Sequence, residues 1–296
     1  MEFKPVTLDE YDHYMEYYRK CMIACAETSF MTVWLEGVAF DVVQAFDSDF
    51  FWHKMTWEGE NVWLPPVGDW DGPQDWQALL TRVVPKDTTF VFVPAYLLRK
   101  WQAFAQHIEV EDMRSEWDYI YSIERQVKAS GKSYRNWRAS INRFADRYPD
   151  WSYEPITVDI IDEIKAFQAE WMEENSGTEK MTDELRGENK TTLFMLDHWA
   201  QVPNAVGAVL RVSGRIAAFI VLEKLDENII SGQFLKADSR YDGAARFLKN
   251  EIYKRLLPNY VMINTWGDSD LEGLRQNKLK ENPITLYRKY KVRWRG

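Results

Sequence analysis

Residues 236–256 read KADSRYDGAARFLKNEIYKRL, and they follow directly on an apolar run, Ile229–Leu235, that reads as a buried strand. From Gly243 to Leu257 the apolar residues recur at helical spacing, and Pro258 closes the pattern. Between strand and helix stands Arg240-Tyr-Asp-Gly243-Ala244-Ala245, a link rich in small residues. Small residues at a helix start permit a tight turn. They also let an anion approach the backbone N–H groups at the positive end of the helix dipole. Which of the two applies depends on what surrounds the stretch.

Three β-rich runs lead into it: Ala205–Val212, Ile216–Leu222 and Ile229–Leu235. Their joins, Ser213-Gly-Arg and Asp226-Glu-Asn, have turn chemistry, which predicts an antiparallel meander. Upstream, Ile160–Asn175 carries a helical apolar stripe, and a second, polar helix is expected over Asn189–Trp199. Downstream, Tyr260–Trp266 reads as a strand, Leu271–Leu279 as a short helix and Ile284–Trp294 as a final strand.

The first half offers a blurred copy of that order. Strand-like runs lie near Val38–Ala45, Phe50–Trp57 and Asn61–Leu64, followed by a helix over Pro73–Val84. Thr89–Val93 then reads as a strand, Ala95–His107 as a helix and Trp117–Tyr121 as a strand. Meander, helix, strand, helix, strand thus occurs twice. This predicts an α+β protein of two similar domains, 1–121 and 151–296, each a mixed, mostly antiparallel sheet flanked by helices. Linking helices fill 122–150 and stop at Tyr148-Pro149. In that linker Trp137, Ile141, Phe144 and Tyr148 form a packing stripe, with Arg135, Arg138 and Asn142 on a neighbouring face. Such an Arg face suits a phosphodiester, or equally the acidic first domain.

Composition bounds the rest. Of 296 residues 46% are hydrophobic and 15% aromatic, with 14 Trp, which excludes disorder and implies large cores. No apolar run is long enough to span a bilayer, and MEFKPVTLDEYDHY lacks a signal peptide's basic and apolar regions. The expectation is a soluble cytoplasmic monomer. Cys21 and Cys25 share a spacing that suits one helix face, but no His falls in ligand spacing with them. They are expected to be reduced, with no metal site. The net charge of −9 is uneven. Residues 1–120 hold 9 Lys/Arg against 21 Asp/Glu, and the remainder 28 against 25, so only the second part welcomes a polyanion. Two basic tracts, Glu124–Arg147 and Glu272–Arg295, lie there.

A meander followed by Arg240-x-x-Gly243-x-Ala245 and a helix resembles the acyl-donor loop of GNAT-type N-acyltransferases. The segments WDYIYSIERQVKASGKSYRNWRASINRF, FLKAD…DGA…NEI and DLEGLRQNKL…P resemble bacterial proteins related to the C-terminal domain of phosphatidylglycerol lysyltransferase, and NVWLPPVGDWDG looks like that family's Leu-Pro-x-Gly segment. The resemblance spans most of residues 50–292. It implies a tandem GNAT-like fold akin to Fem-type transferases, some of which pass an aminoacyl group from aminoacyl-tRNA to an amine or hydroxyl. The chain departs from the family pattern at Gln233 and Leu235, where a His and a Glu are usual, and at Thr265-Trp266, where Arg-Glu is usual. Leu235 and Trp266 make the expected pocket more apolar, or mark lost catalysis.

Acyl transfer needs an anchored donor, a stabilised oxyanion and a proton acceptor. Lys236, Arg240, Gly243, Ala244, Ala245 and Arg275 are the candidates for holding the donor. Lys278 is a candidate for charge near the oxyanion, and Asp268 and Glu223 for accepting the proton. The donor is expected to be aminoacyl-tRNA or, alternatively, acyl-CoA, with no tightly bound cofactor. The acceptor is expected to be a small molecule or lipid headgroup. A third reading is a binding protein that keeps the fold without the chemistry.

Overall fold

A computed structural model describes the backbone of residues 1–21, 25–176 and 183–296, and the side chains of all of these but 183 and 184. The chain divides into two compact units. Unit 1 comprises Met1–Asp118, Gly267–Asp270 and Leu286–Gly296, and unit 2 comprises Tyr119–Trp266 and Leu271–Thr285.

In chain order, unit 1 opens with β1 (Lys4–Pro5), α1 (Tyr11–Tyr18) and α2 (Phe30–Glu36). The antiparallel strands β2 (Val43–Phe46), β3 (Phe50–Trp57) and β4 (Glu60–Trp63) follow, with β5 (Val67–Gly68) paired to β3. Next come α3 (Trp76–Val83), β6 (Thr89–Pro94), α4 (Ala95–Trp101) and β7 (Ile108–Asp112). Asp75 caps α3, its side chain accepting from the Ala78 N–H at 3.1 Å. The buried core is strongly aromatic: Trp52, Trp70 and Trp101 are fully enclosed, and Phe90 meets Trp101 edge-on at 5.1 Å.

Unit 2 is built from β8 (Asp118–Ser122, its first residue belonging to unit 1), α5 (Ile123–Lys128), α6 (Arg135–Arg147) and β9 (Ser152–Pro155). Then come α7 (Ile161–Asn175), α8 (Asp183–Asp197), β10 (Ala205–Val212), β11 (Arg215–Lys224) and β12 (Ile229–Ala237). α9 (Ala244–Leu256), β13 (Met262–Asn264), α10 (Glu272–Lys280) and the first residue of β14 (Thr285–Tyr287) complete it, the last two residues of β14 belonging to unit 1. The last strand, β15 (Lys289–Trp294), lies in unit 1.

The two sheets repeat one plan. In unit 1 the order is β1-β2-β3-β4-β6-β15-β7, with β4 and β6 parallel and β15 antiparallel to both neighbours. In unit 2 it is β14-β8-β13-β12-β11-β10-β9, with β12 and β13 parallel and β8 antiparallel to β13. The doubled element order is therefore real, but it corrects two boundaries. The strand expected to end the first domain, β8, pairs with β13 in unit 2. The stretch expected as one final strand, Ile284–Trp294, divides into β14 in one sheet and β15 in the other. Each sheet holds, next to its parallel strand, a strand from the other half of the sequence. The linker is not a separate body: α5 and α6 belong to unit 2, where Trp137 and Phe144 of the predicted stripe are buried and Phe144 stacks on Phe247 at 4.6 Å. Helix α1 ends at Tyr18, before either cysteine. Both thiols are buried and unbridged, and residues 22–24 lie outside the described residues.

Candidate functional site

The meander β10–β11–β12 carries a register shift between Val221 and Leu222, where Gln233 is the extra residue on β12. On its other edge β12 pairs in parallel with β13 only from Ile229↔Met262 to Ser231↔Asn264. β12 then continues to Ala237 without β13, so its Gly232–Ala237 edge leaves the parallel ladder and the two strands splay. The chain passes from that edge through Asp238–Asp242 into α9, whose N-cap is Gly243.

One face of this sheet is polar where the splay begins. Phe219 of β11 meets Phe167 of α7 edge-on at 5.9 Å, which fixes the face covered by α7. Val221 and Glu223 share it by alternation, and their register partners Phe234 and Ser231 share it by pairing, as does Lys236 opposite Phe219. Asn264 extends the row from Ser231. Glu223, Ser231 and Asn264 are all buried. Gln233 Nε2 donates to Glu223 Oε2 at 2.7 Å. Lys236 Nζ donates to Glu188 Oε2 of α8 at 2.7 Å and stands 4.6 Å from the Trp171 ring centroid, while Trp171 Nε1 donates to the Ala237 carbonyl. From α7, Gln168 donates to Asn189 Oδ1 of α8 at 2.8 Å. Ser231 Oγ and Gln168 Oε1 are buried with no hydrogen-bond partner among the described residues. A buried hydroxyl without a partner is costly, so a ligand group that completes it gains binding energy.

The predicted donor loop has the backbone expected of it, for a different immediate reason. Gly243 sits at φ +90°, and a Cβ there would lie 3.3 Å from Ser140 Oγ of α6. The glycine is required by its left-handed conformation and by the close packing of α6. Arg240 turns back on Asp238: its Nε reaches both carboxylate oxygens, and its backbone N–H reaches Oδ1 at 2.8 Å. Burial pushes the Asp238 carboxyl up, but the Arg240 hydrogen bonds outweigh it and hold the group below the usual carboxylate range. The Arg240 guanidinium is raised in turn by its bond to Asp238. Among the described residues no side chain caps the α9 N-terminus. Ala244 is buried and donates its backbone N–H to the Tyr241 carbonyl, and Ala245 follows it in the first turn.

The other candidates divide. Glu223 and Lys236 share the α7 face but lie apart along the ladder, Lys236 opposite Phe219 and Glu223 opposite Ser231. Lys278 Nζ donates to the carbonyls of Thr265 and Trp266 and lies against Tyr119, so its charge anchors the segment after β13. Arg275 pairs with Glu272 on its own helix. Asp268 belongs to unit 1, fully buried, with Arg114 Nη1 3.0 Å from Oδ2. Arg138 Nη1 donates to the carbonyls of Ala129 and Gly131, closing the end of α5, whereas Arg135 is exposed. The supposed Arg face is thus one anchoring residue and one solvated one. Sequence reasoning missed Ser231, Gln233, Asn264, Glu188 and Trp171. The signal was present in Ser231-Gly-Gln233, polar residues breaking an otherwise apolar strand, which must find partners or serve a ligand.

Residues 26–293 match the family model described as phosphatidylglycerol lysyltransferase, C-terminal. Among solved structures, a conserved protein of unknown function from Bacteroides thetaiotaomicron VPI-5482 is 26% identical, with 99% of each chain covered and a TM-score of 0.91. The C-terminal domain of a candidate lysylphosphatidylglycerol synthetase from Agrobacterium fabrum is 16% identical at a TM-score of 0.67, covering 97% of this chain and 90% of that one. L-PGS from Bacillus licheniformis gives 15% and 0.67, covering 99% and 93%. No curated protein matches the chain by sequence. The fold is α+β, with two mixed, mostly antiparallel sheets flanked by helices. Among the described residues no helix is long and apolar enough to cross a membrane.

Proposed function

The chain belongs to the phosphatidylglycerol lysyltransferase C-terminal family, and from that premise we propose that unit 2 transfers an acyl group, specifically an aminoacyl group from aminoacyl-tRNA, to an amine or hydroxyl of a small molecule or lipid headgroup. The observation that carries the reading is the splay of β12 from β13 beside a buried, unpartnered Ser231 hydroxyl. An ester laid along the released β12 edge meets backbone N–H groups aimed at its carbonyl oxygen, the arrangement that stabilises an oxyanion. The acceptor heteroatom bonds to the carbonyl carbon and the ester C–O bond breaks. The acceptor's proton passes to Glu223, which returns it to the departing alkoxide oxygen. Ser231 and Gln233 orient the reacting groups, and the Lys236–Glu188 pair sets the polarity of the acceptor side. Arg135 and the rest of the exposed basic tract on α6 would meet the tRNA backbone.

A second reading, binding without catalysis, is favoured by the engagement of Arg240, Lys278 and Arg275 in internal pairs. One assay separates the two. Radiolabelled aminoacyl-tRNA is incubated with the protein and a panel of amine and hydroxyl acceptors, and transfer is compared in wild type and Glu223→Gln. Transfer that Glu223→Gln lowers supports the transferase. A thermal shift with charged tRNA but no transfer to any acceptor supports the binding protein, and no response to charged tRNA removes aminoacyl-tRNA as the donor. Acetyl-CoA in the same assay tests the remaining donor.

A further inference from the structure

Unit 1 holds a cavity of its own, about 270 Å³, lined by the start of α4 and by the chain that joins β14 to β15. Its floor is closed, because the buried Lys289 ammonium pairs there with the buried Asp118. Its rim differs. Arg99 and Arg288 line the cavity and are exposed, and among the described residues neither guanidinium has a hydrogen-bonded or ionic partner. Each rests on an aromatic ring instead, Arg99 on Tyr96 at 5.2 Å and Arg288 on Trp117 at 4.9 Å. A shortage of carboxylates does not explain this, since Lys100 pairs with Asp71, and Arg293 and Arg295 pair with Asp87. The backbone sets the two arginines side by side. The Ala95 N–H donates to the Arg288 carbonyl at 3.0 Å, and Arg99 stands one turn beyond Ala95 on the same face of α4.

We propose that this mouth binds a phosphate monoester with a short apolar stem. A carboxylate has two oxygens and one charge, which a single guanidinium fork satisfies. A phosphate monoester brings three terminal oxygens and up to about two charges, so it engages both forks. The aromatic rings under the guanidiniums hold their planes for that contact. The stem passes inward onto Leu286 and Pro94, which keeps the anion at the rim and away from the Asp118 carboxylate. The volume suits such a head and a stem of a few carbons, and it is too small for a nucleotide coenzyme. A free metabolite and the head of a lipid offer the same chemistry. The site lies wholly in unit 1 and stands whether or not unit 2 transfers acyl groups.

Calorimetric titration of the full chain with n-butyl phosphate tests the assignment, with butyrate lacking the phosphate and inorganic phosphate lacking the stem. Butyl phosphate should bind about tenfold or more tightly than either. Arg99→Gln/Arg288→Gln should lose about tenfold or more of that affinity and melt like wild type, since it breaks no ion pair. Arg293→Gln removes an exposed arginine already paired with Asp87 and should keep the affinity. Sedimentation with phosphatidylcholine vesicles carrying phosphatidate separates the two sources. Vesicle binding that the double variant loses assigns the head of a lipid. Butyl phosphate binding with vesicle binding absent, or indifferent to the double variant, assigns a free ester. No binding of butyl phosphate, equal binding of either control, affinity unchanged in the double variant, or an equal loss in Arg293→Gln would overturn the proposal.

Discussion

Arg240 closes on Asp238 through both carboxylate oxygens, at 2.9 and 2.8 Å from Nε, and so ties the end of β12 to the turn that starts α9. Asp238 is buried while the arginine is largely exposed, so the pair works as a clamp on the loop. Arg240→Ala should therefore lower the melting temperature, where a free donor ligand would leave it unchanged. The sign with pH follows from Asp238. Its folded pKa is depressed, so the stability it contributes is present above its unfolded value and is lost as pH falls through the folded one. Thermal melts from neutral to acid pH should show a larger wild-type loss than in Arg240→Ala. Parallel curves for the two would refute the clamp.

Gly243 offers a test of conformation against ligand approach. At φ +90°, with Ser140 Oγ 3.3 Å from where a Cβ would stand, Gly243→Ala should cost about 1–2 kcal/mol from the left-handed backbone alone. Adding Ser140→Gly relieves the contact but not the φ, so the double variant should recover only part of the loss. Full recovery in urea denaturation would show that packing, not backbone conformation, demands the glycine.

How much of this is legible in the sequence follows from the same residues. The meander, α9 and the doubled order are legible because period-two and period-3.6 patterns report local burial. The exchange of β8 and β15 is not, since both strands have apolar patterns that fit either sheet and only pairing decides between them. The motif around Asp268 and Lys278 suggests reactive groups. Their partners Arg114, at a sequence separation of 154, and the Thr265 and Trp266 carbonyls are tertiary facts that no motif displays. Glu223 and Lys236 stand out in the sequence because a charge inside an apolar strand must find a partner or a ligand, and both lie on the α7 face.

His53 makes unit 1 acid-sensitive. Its ring is fully buried, neither nitrogen has a hydrogen-bond partner among the described residues, and burial pushes its pKa down to about 3. Between the unfolded value of about 6.5 and that folded value the unfolded chain binds the extra proton. Stability is thus lost as pH falls through this window, at up to about 1.4 kcal/mol per pH unit. His53→Phe should flatten the pH dependence of denaturant unfolding there. An unchanged slope would mean that the ring is solvated.

Lys289 pairs with two buried carboxylates, Glu27 and Asp118. Lys289→Met should cost about 3–5 kcal/mol, because truncating one member of a buried ionic cluster strands the others. Adding Glu27→Gln should return part of that loss. If Lys289→Met melts like wild type, the carboxylates are neutral or reach water.

Ser231 separates a structural from a functional role most sharply. Its hydroxyl is buried without a partner in the row between Glu223 and Asn264, so in the free protein it carries a desolvation penalty and returns nothing. Ser231→Ala removes that penalty and should leave stability unchanged or raise it by up to about 1 kcal/mol. If the hydroxyl completes its bonding to the reacting groups, the same change should slow transfer by about tenfold, the worth of one neutral hydrogen bond in the transition state. Glu223→Gln should slow it further while keeping the bond to Gln233 within reach of an amide. Urea denaturation and the aminoacyl-transfer assay, run on the same preparations, give the two readouts. A variant that loses stability and activity together would make Ser231 a packing residue, and one that keeps both would remove it from the site.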